Sequence, residues 1–323
     1  MYTTRVLSNT YSKLNQSIYH AKEKKDITAP ANWAITPDVG AQIDTFAPTF
    51  NDAIMDVQIA LNALKFRTDE KNRFMKILVY YLGNMIKHLN DAIRRSELAG
   101  DGLFAPADRA LYRIDINDDS IPVMTSEASI MMWGKRIMEG EQTRISQGKP
   151  PLTQPDLAEV SNWFNQFRNA NDEQSILKDN YRKAQKILSD LKPQAKALEK
   201  DIWDDVENYY RHEEPETKRA YAREWGVIYV ERENEKDKKG SVYGEVTSND
   251  IPLDGVRVEI VEAGLFTETG LDGTYEFIEV DQGKYTIRAT KKDYKKITIP
   301  DVEIKGDEAL LLNITLELKL DAT

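Results

Sequence analysis

Cysteine is absent from the 323 residues, which removes disulfides, thiolate metal sites, iron–sulfur clusters and cysteine nucleophiles together. Histidine is almost as scarce, with His20, His88 and His212 far apart in the chain. No run approaches the ~18–20 uninterrupted apolar residues that a membrane span requires, so a membrane-spanning chain is not expected. A surplus of positive charge is missing too. Lys and Arg number 44 against 54 Asp and Glu, a formal net charge of -10, and nucleic acid is not an expected partner because phosphate binding has no global electrostatic support. The opening Met1-Tyr-Thr-Thr-Arg-Val-Leu-Ser-Asn-Thr10 lacks the basic region, apolar run and small-residue cleavage site of a secretory signal, and reads as the start of a cytoplasmic chain. Phosphate-cradling and nucleophile-elbow motifs are also missing: there is no G-x-x-x-x-G-K-[ST], G-x-G-x-x-G or G-x-S-x-G.

What is present is enough apolar material for a core. Hydrophobic residues make up 41% and charged residues 30%, which excludes wholesale disorder, and the length suits roughly two domains at about 150 residues each. The division falls at Glu231-Arg-Glu-Asn-Glu-Lys-Asp-Lys-Lys239, a stretch without one apolar side chain that reads as a linker. Up to residue 239 there are 37 acids and 35 bases, and after it 17 and 9, so the charge of -10 divides as −2 and −8.

Before the linker the period is helical. Val39, Ile43, Phe46, Phe50, Ile54, Val57, Leu61 and Leu64 lie on one helix face, and Thr36 before Pro37 and Asp38 is a suitable start. Phe74, Ile77, Leu78, Tyr81, Met85, Leu89 and Ile93 form a second stripe. A turn at Arg67-Thr-Asp-Glu70 would join the two as an antiparallel hairpin, with Pro48 kinking or dividing the first helix. A second hairpin is expected from Leu157, Val160, Phe164 and Phe167, followed by a long stripe from Ile176 through Tyr181, Leu188, Leu198 and Val206 to Tyr209. Gln154-Pro-Asp-Leu157 echoes Thr36-Pro-Asp-Val39, which suggests a duplicated unit. Helices are also expected from about Ser126 to Glu139 and from Pro215 to Glu224, with an extended segment at Val227–Val230.

After the linker the period changes to two. Val256, Val258 and Ile260 alternate with polar neighbours, as do Tyr285, Ile287 and Ala289, and Leu312, Ile314, Leu316 and Leu318. About seven short strands in this length make a sandwich. Tight turns place Gly273 and Gly283 where positive φ is expected. The expected architecture is therefore multidomain, with a helical bundle of two long hairpins followed by a seven-stranded β-sandwich. Its bounds are an N-terminal extension at 1–32, the helical domain at 33–230, the linker at 231–240 and the sandwich at 241–323.

The segments Gly244-Glu-Val246, Pro252-Leu-Asp-Gly-Val-Arg-Val258, Thr269-Gly-Leu-Asp-Gly-Thr-Tyr-Glu-Phe277, Gly283-Lys-Tyr-Thr-Ile-Arg-Ala289 and Tyr294-Lys-Lys296 carry a resemblance. Together they resemble a carboxypeptidase regulatory-like domain, a transthyretin-like sandwich. The resemblance covers nearly all of this module and none of the helical part. It implies an accessory domain without catalytic residues, often appended to surface or secreted proteins, and so a surface location reached by a non-standard export route stands beside the cytoplasmic reading.

Candidate chemistry is thin. His20-Ala-Lys-Glu23 has the H-x-x-E spacing of zinc peptidases but no second histidine at a suitable distance, and His212-Glu-Glu-Pro-Glu216 has Glu where H-E-x-x-H needs histidine. Asp115-Ile-Asn-Asp-Asp119 begins like a calcium loop, but Ser120 replaces the turn glycine and Ser126 the closing acid. No catalytic residue, metal or cofactor is expected. Candidate interaction residues are Trp133, Trp163, Trp203 and Trp225, which as helix tryptophans belong in a core or an interface, together with Lys291, Lys292, Lys295 and Lys296. Those lysines would contact an acidic partner or guard a sheet edge. The function expected is a non-enzymatic structural or interaction protein, whose partners are copies of itself or another protein. The alternatives are a surface module binding a glycan or a protein, and an enzyme of unfamiliar type in the helical part.

Overall fold

The computed structural model describes residues 2–5, 8–232, 239–270 and 272–319. Two compact units make up the fold. One is built from Met1–Asn62 and Asp179–Lys319, the other from Ala63–Lys178. Helices α2 (Pro37–Ala99) and α4 (Leu157–Tyr209) contribute residues to both.

In the first unit the chain begins with strand β1 (Tyr2–Arg5), which pairs antiparallel with β2 (Tyr229–Arg232). Helix α1 (Tyr11–Ile27) follows, with Thr10 accepting a hydrogen bond from the Lys13 amide as its cap. An N-terminal extension without a helix is expected here from sequence, since only Leu14, Ile18 and Ala21 form the apolar stripe of α1, and all three are fully buried. Polar side chains complete the seam. Ser17 donates to the Gly226 carbonyl and accepts from the Trp203 indole N–H, and Lys25 pairs with Asp44 at 2.5 Å. The buried Glu199 of α4 accepts from the amide and hydroxyl of Ser8. Thr36 caps α2 as expected, and both its amide and hydroxyl donate to Asp205 near the end of α4. Helix α5 (Pro215–Glu224) has the expected bounds.

The expected hairpins are replaced by single long helices. α2 runs for 63 residues through Arg67–Glu70, and α4 for 53 residues through the Asn- and Asp-rich stretch after Phe167. The reason is visible in the second unit. Thr68, Lys71 and Gln174 occupy stripe positions as polar members of the interior, where Gln174 donates to Thr68 and Lys71 bonds to both Gln174 and Glu127. A polar layer in the seam looks like a gap in the apolar stripe, and a gap reads as a turn. The stripe itself passes through Gln174, leaving Ile176 62% exposed. Pro48 and Pro193 lie inside their helices without ending them. Each removes a hydrogen bond at a cost of about 3 kcal/mol, offset by buried neighbours, Phe46, Ala47 and Phe50 around the first and Ala195 and Leu198 after the second. The echo between residues 36–39 and 154–157 does not extend to the caps. α2 starts at its proline, whereas α4 starts after Asp156, which accepts from the Glu159 amide while Glu159 accepts from the Asp156 amide.

The rest of the second unit is α3 (Glu127–Ser146), capped by Ser126 and longer than expected, packed with α2 and α4 around Leu78, Leu82, Leu89, Ile137 and Phe167. Buried polar residues form a network around Glu141, in which Arg144 Nη1 is buried without a hydrogen-bond partner. Arg144 and Glu141 are fully buried and paired at 2.9 Å, the Tyr112 hydroxyl bonds to Glu141, and the Leu152 amide donates to Glu141 at 2.7 Å. Asp115 and Asp118 accept from the amides of Asn117 and Ser120, so the calcium-like segment is a turn closed on itself.

The sandwich lies within the first unit. One sheet is centred on β3 (Lys239–Ser248), which pairs with β4 (Ile251–Pro252), β7 (Thr274–Asp281), β10 (Ala309–Leu311) and β11 (Ile314–Thr315). The other runs in the order β6 (Leu265–Glu268), β5 (Arg257–Ile260), β8 (Gly283–Thr290), β9 (Ile297–Ile304). Nine strands are described where seven were expected, since β4 and β11 are only two residues long. Val242, Val246, Val258, Phe277, Ile287 and Leu316 fill the space between the sheets. Gly273 has φ of +75°, as expected of a turn glycine. Gly283 does not have positive φ. It opens β8, and a Cβ there would meet the Tyr285 ring at 3.2 Å, so close approach is its role. Residues 233–238 of the expected linker lie outside the described residues, and its flanks belong to β2 and β3. No helix among the described residues is long and apolar enough to cross a membrane.

Candidate functional site

Alternation along β3 sends Val242, Gly244 and Val246 inward and Tyr243 and Glu245 outward. Glu245 is paired in register with Thr274 of β7. Just before Thr274, the turn residue Asp272 accepts hydrogen bonds from the Thr274 amide at 3.1 Å and hydroxyl at 2.8 Å. Two carboxylates are thereby held side by side on the outward face of this sheet. That face is covered by helices of the same unit. Lys13 of α1 reaches Glu276 of β7 at 2.5 Å, where the Glu276 side chain is 5% exposed, and Arg182 of α4 meets Asp250 at 3.0 Å.

Between the helices and the carboxylates lies a cleft of about 680 Å³. Ile54 and Val57 of α2 and Leu188 of α4 give it an apolar wall. Tyr11 of α1 supplies aromatic surface, the almost fully buried Tyr181 of α4 lies behind the wall, and Glu245, Asp272, Thr274 and Gln185 make the polar end, with Arg182 and Lys186 also in the lining. Gln185 donates to the Tyr181 hydroxyl. Burial pushes the Glu245 carboxyl up to about 7, the Asp272 charge adds to this, and a hydrogen bond from Gln185 opposes it. Burial also raises the Tyr181 phenol, and the same two carboxylates raise it further. The phenol of Tyr11 moves up for the same leading reason. Lys192, over the rings of Tyr11 and Tyr243 at 4.8 and 5.7 Å, is lowered first by burial and then by Lys196.

None of the candidate interaction residues, Trp133, Trp163, Trp203, Trp225, Lys291, Lys292, Lys295 and Lys296, lines this cleft, whereas Ile54, Val57, Tyr181 and Leu188 of the helix stripes do. Trp203 and Trp225 are fully buried and offer no surface, whereas Trp133 and Trp163 pack half-buried against the core of the second unit. The lysine run sits in the connection into β9. Lys291 donates to the Asp254 carbonyl at 2.6 Å and Lys295 pairs with Glu317 at 2.9 Å, while Lys292 and Lys296 are exposed. β9 is an edge strand, and it also carries Pro300. Glu245 and Asp272 stood in the segments that resemble a known sandwich, where they read as part of the fold. Strand alternation alone gives their outward direction, but covering helices leave no mark in that pattern.

Similar parts occur in several solved structures. A type II cohesin–X-dockerin complex from Acetivibrio cellulolyticus matches at 23% identity over 24% of this chain and 56% of that one, with a TM-score of 0.22. The minor pilin of Streptococcus agalactiae matches at 14% over 30% and 55%, with a TM-score of 0.23. A pilus 2b backbone protein of group B streptococcus matches at 16% over 29% and 49%, with a TM-score of 0.20. The chain spans about half the length of each of these proteins. No curated protein matches it in sequence. The part of the chain that can be placed in a family is the sandwich, whose residues 241–317 match the carboxypeptidase regulatory-like domain family.

Proposed function

We propose that this chain is a non-enzymatic interaction protein in which helices form a framework for a carboxypeptidase regulatory-like sandwich, and that the helical part associates with copies of itself. The observation that carries the reading is the seating of the sandwich. Lys13–Glu276, whose glutamate side chain is 5% exposed, ties β7 to α1, and the exposed Arg182–Asp250 pair adds a weaker contact from α4 to the turn after β3, so the module is seated on the helices, which suits display or docking. Further support comes from apolar surface on the helices. Met55 and Ile59, one turn apart on α2, are 53% and 64% exposed, and the near-neutral charge up to residue 239 leaves little long-range repulsion between copies. The four tryptophans give no such support, being wholly or half buried.

The test is sedimentation velocity on the full chain over a wide concentration range. A mass that rises with concentration, and a rise that Ile59→Lys abolishes, is the expected result. A single monomeric boundary up to high micromolar protein overturns self-association and leaves an adaptor for a different protein.

A further inference from the structure

We propose that the cleft between α1, α2, α4 and the β3–β7 face of the sandwich binds an alkylammonium group, such as the side chain of a lysine presented by a partner. The inference rests on the interaction reading above and names the chemistry of what is bound.

Three features of the cleft point to this class. Its volume of about 680 Å³ lies in the range of ligand sites, roughly 300–1,000 Å³, and its lining follows the usual plan of an apolar body with a few convergent polar groups. The apolar wall of Ile54, Val57 and Leu188 suits a methylene chain, beside which Tyr11 offers a partly exposed ring. At the polar end Glu245 and Asp272 repel one another, and that repulsion is part of what holds the Glu245 proton on. A cation seated between them removes the repulsion that protonation now relieves.

The neighbouring cations are engaged elsewhere. Arg182 pairs with Asp250 and Asp179, Lys186 with Asp190, and Lys13 with Glu276. Lys192 lies over two tyrosine rings. The groups facing Glu245 are thus Asp272 and Thr274 from the sandwich, Tyr181, Gln185, Arg182 and Lys186 from α4, and Tyr11 from α1. Of these, the charge that acts on its carboxyl is that of Asp272. A bound ammonium draws Glu245 into its ionised form, so affinity should rise with pH through neutrality, while a neutral ligand should show no such dependence.

The experiment is calorimetric titration of the full chain with three probes: a blocked Gly-Lys-Gly peptide, the same peptide with norleucine for lysine, and spermidine. Expected at about pH 8 is saturable binding of the lysine peptide, with the norleucine peptide at least ~10-fold weaker, equivalent to about 1.4 kcal/mol. Binding should weaken severalfold at about pH 5.5, where Glu245 is protonated. Glu245→Gln and Asp272→Asn should each weaken it about tenfold or more with the circular dichroism spectrum unchanged. Spermidine binding as well as the peptide assigns the site to ammonium groups in general, and peptide alone assigns it to a protein side chain; both sustain the proposal. Equal binding of the norleucine peptide, binding unchanged in both variants, or no saturation by either amine at millimolar concentration overturns it. A chain that fails here but still self-associates in sedimentation loses this inference alone, so the two failures are distinguishable.

Discussion

Glu141 in the second unit and Glu245 in the first are carboxylates treated in opposite ways. In the second, Glu141 is fully enclosed but fully answered, with Arg144, Tyr112 and the Leu152 amide on its oxygens. In the first, Glu245 is only partly enclosed, and the charge acting on its carboxyl is that of the like-charged Asp272. A network of opposite charges fixes one packing arrangement, whereas an open pair of like charges raises free energy that a ligand or a proton can release. The difference separates polar residues that hold the fold from polar residues left over for binding.

The largest expected effect comes from opening the Glu141 network. Glu141→Gln leaves Arg144 charged in a fully buried position, and removal of one partner of such a pair costs about 3–5 kcal/mol. Urea denaturation should show the loss directly, and a variant within error of the parent would mean that the network contributes nothing. The open pair should give a smaller effect with a characteristic pH dependence. In the unfolded chain Glu245 titrates near its ordinary 4.5, and in the folded chain at about 7, so the folded state binds the proton more tightly. Its contribution to stability is complete below about 4.5, falls as pH rises, and is gone once pH has passed through about 7. The decline is on the order of 2 kcal/mol after allowance for partial exposure. Denaturation midpoints from about pH 4 to 8 should show it, and Glu245→Gln should flatten the curve over that window. A parent curve that rises across the same window would contradict the burial described here. The smallest effect is expected at Lys295, whose pair with Glu317 lies in water, with side chains 64% and 73% exposed. Lys295→Ala should leave the denaturation midpoint unchanged, and a clear drop would give the lysine run a structural role that its exposure does not suggest.

The sequence reveals much of the sandwich because alternation is local: Val258 and Ile260 lie in β5, with Val256 just before it, while Arg257 and Glu259 face outward, and the turn at Gly273 needs the φ that glycine permits. The α5 bounds, the Thr36 cap and a helix beginning near Ser126 are legible for the same reason. The continuity of α2 and α4 was not, since Thr68, Lys71 and Gln174 are polar residues whose burial is decided by partners far along the chain. α1 was missed because half its inner face is polar, with Ser17 and Lys25 satisfied by Gly226, Trp203 and Asp44. The cleft was illegible in full: it needs Tyr11, Ile54, Tyr181 and Glu245 brought together, and no periodicity spans those distances.

One feature of the Glu141 network bears on motion. Leu152 belongs to the connection between α3 and α4, a segment that by its place in the chain would be among the first to exchange its amide hydrogens. Its N–H is instead donated to the fully buried carboxylate of Glu141, and releasing it takes a hydrogen bond from a buried charge. The Leu152 amide should therefore exchange its hydrogen more slowly than its place in a connection suggests, which native-state hydrogen exchange would measure.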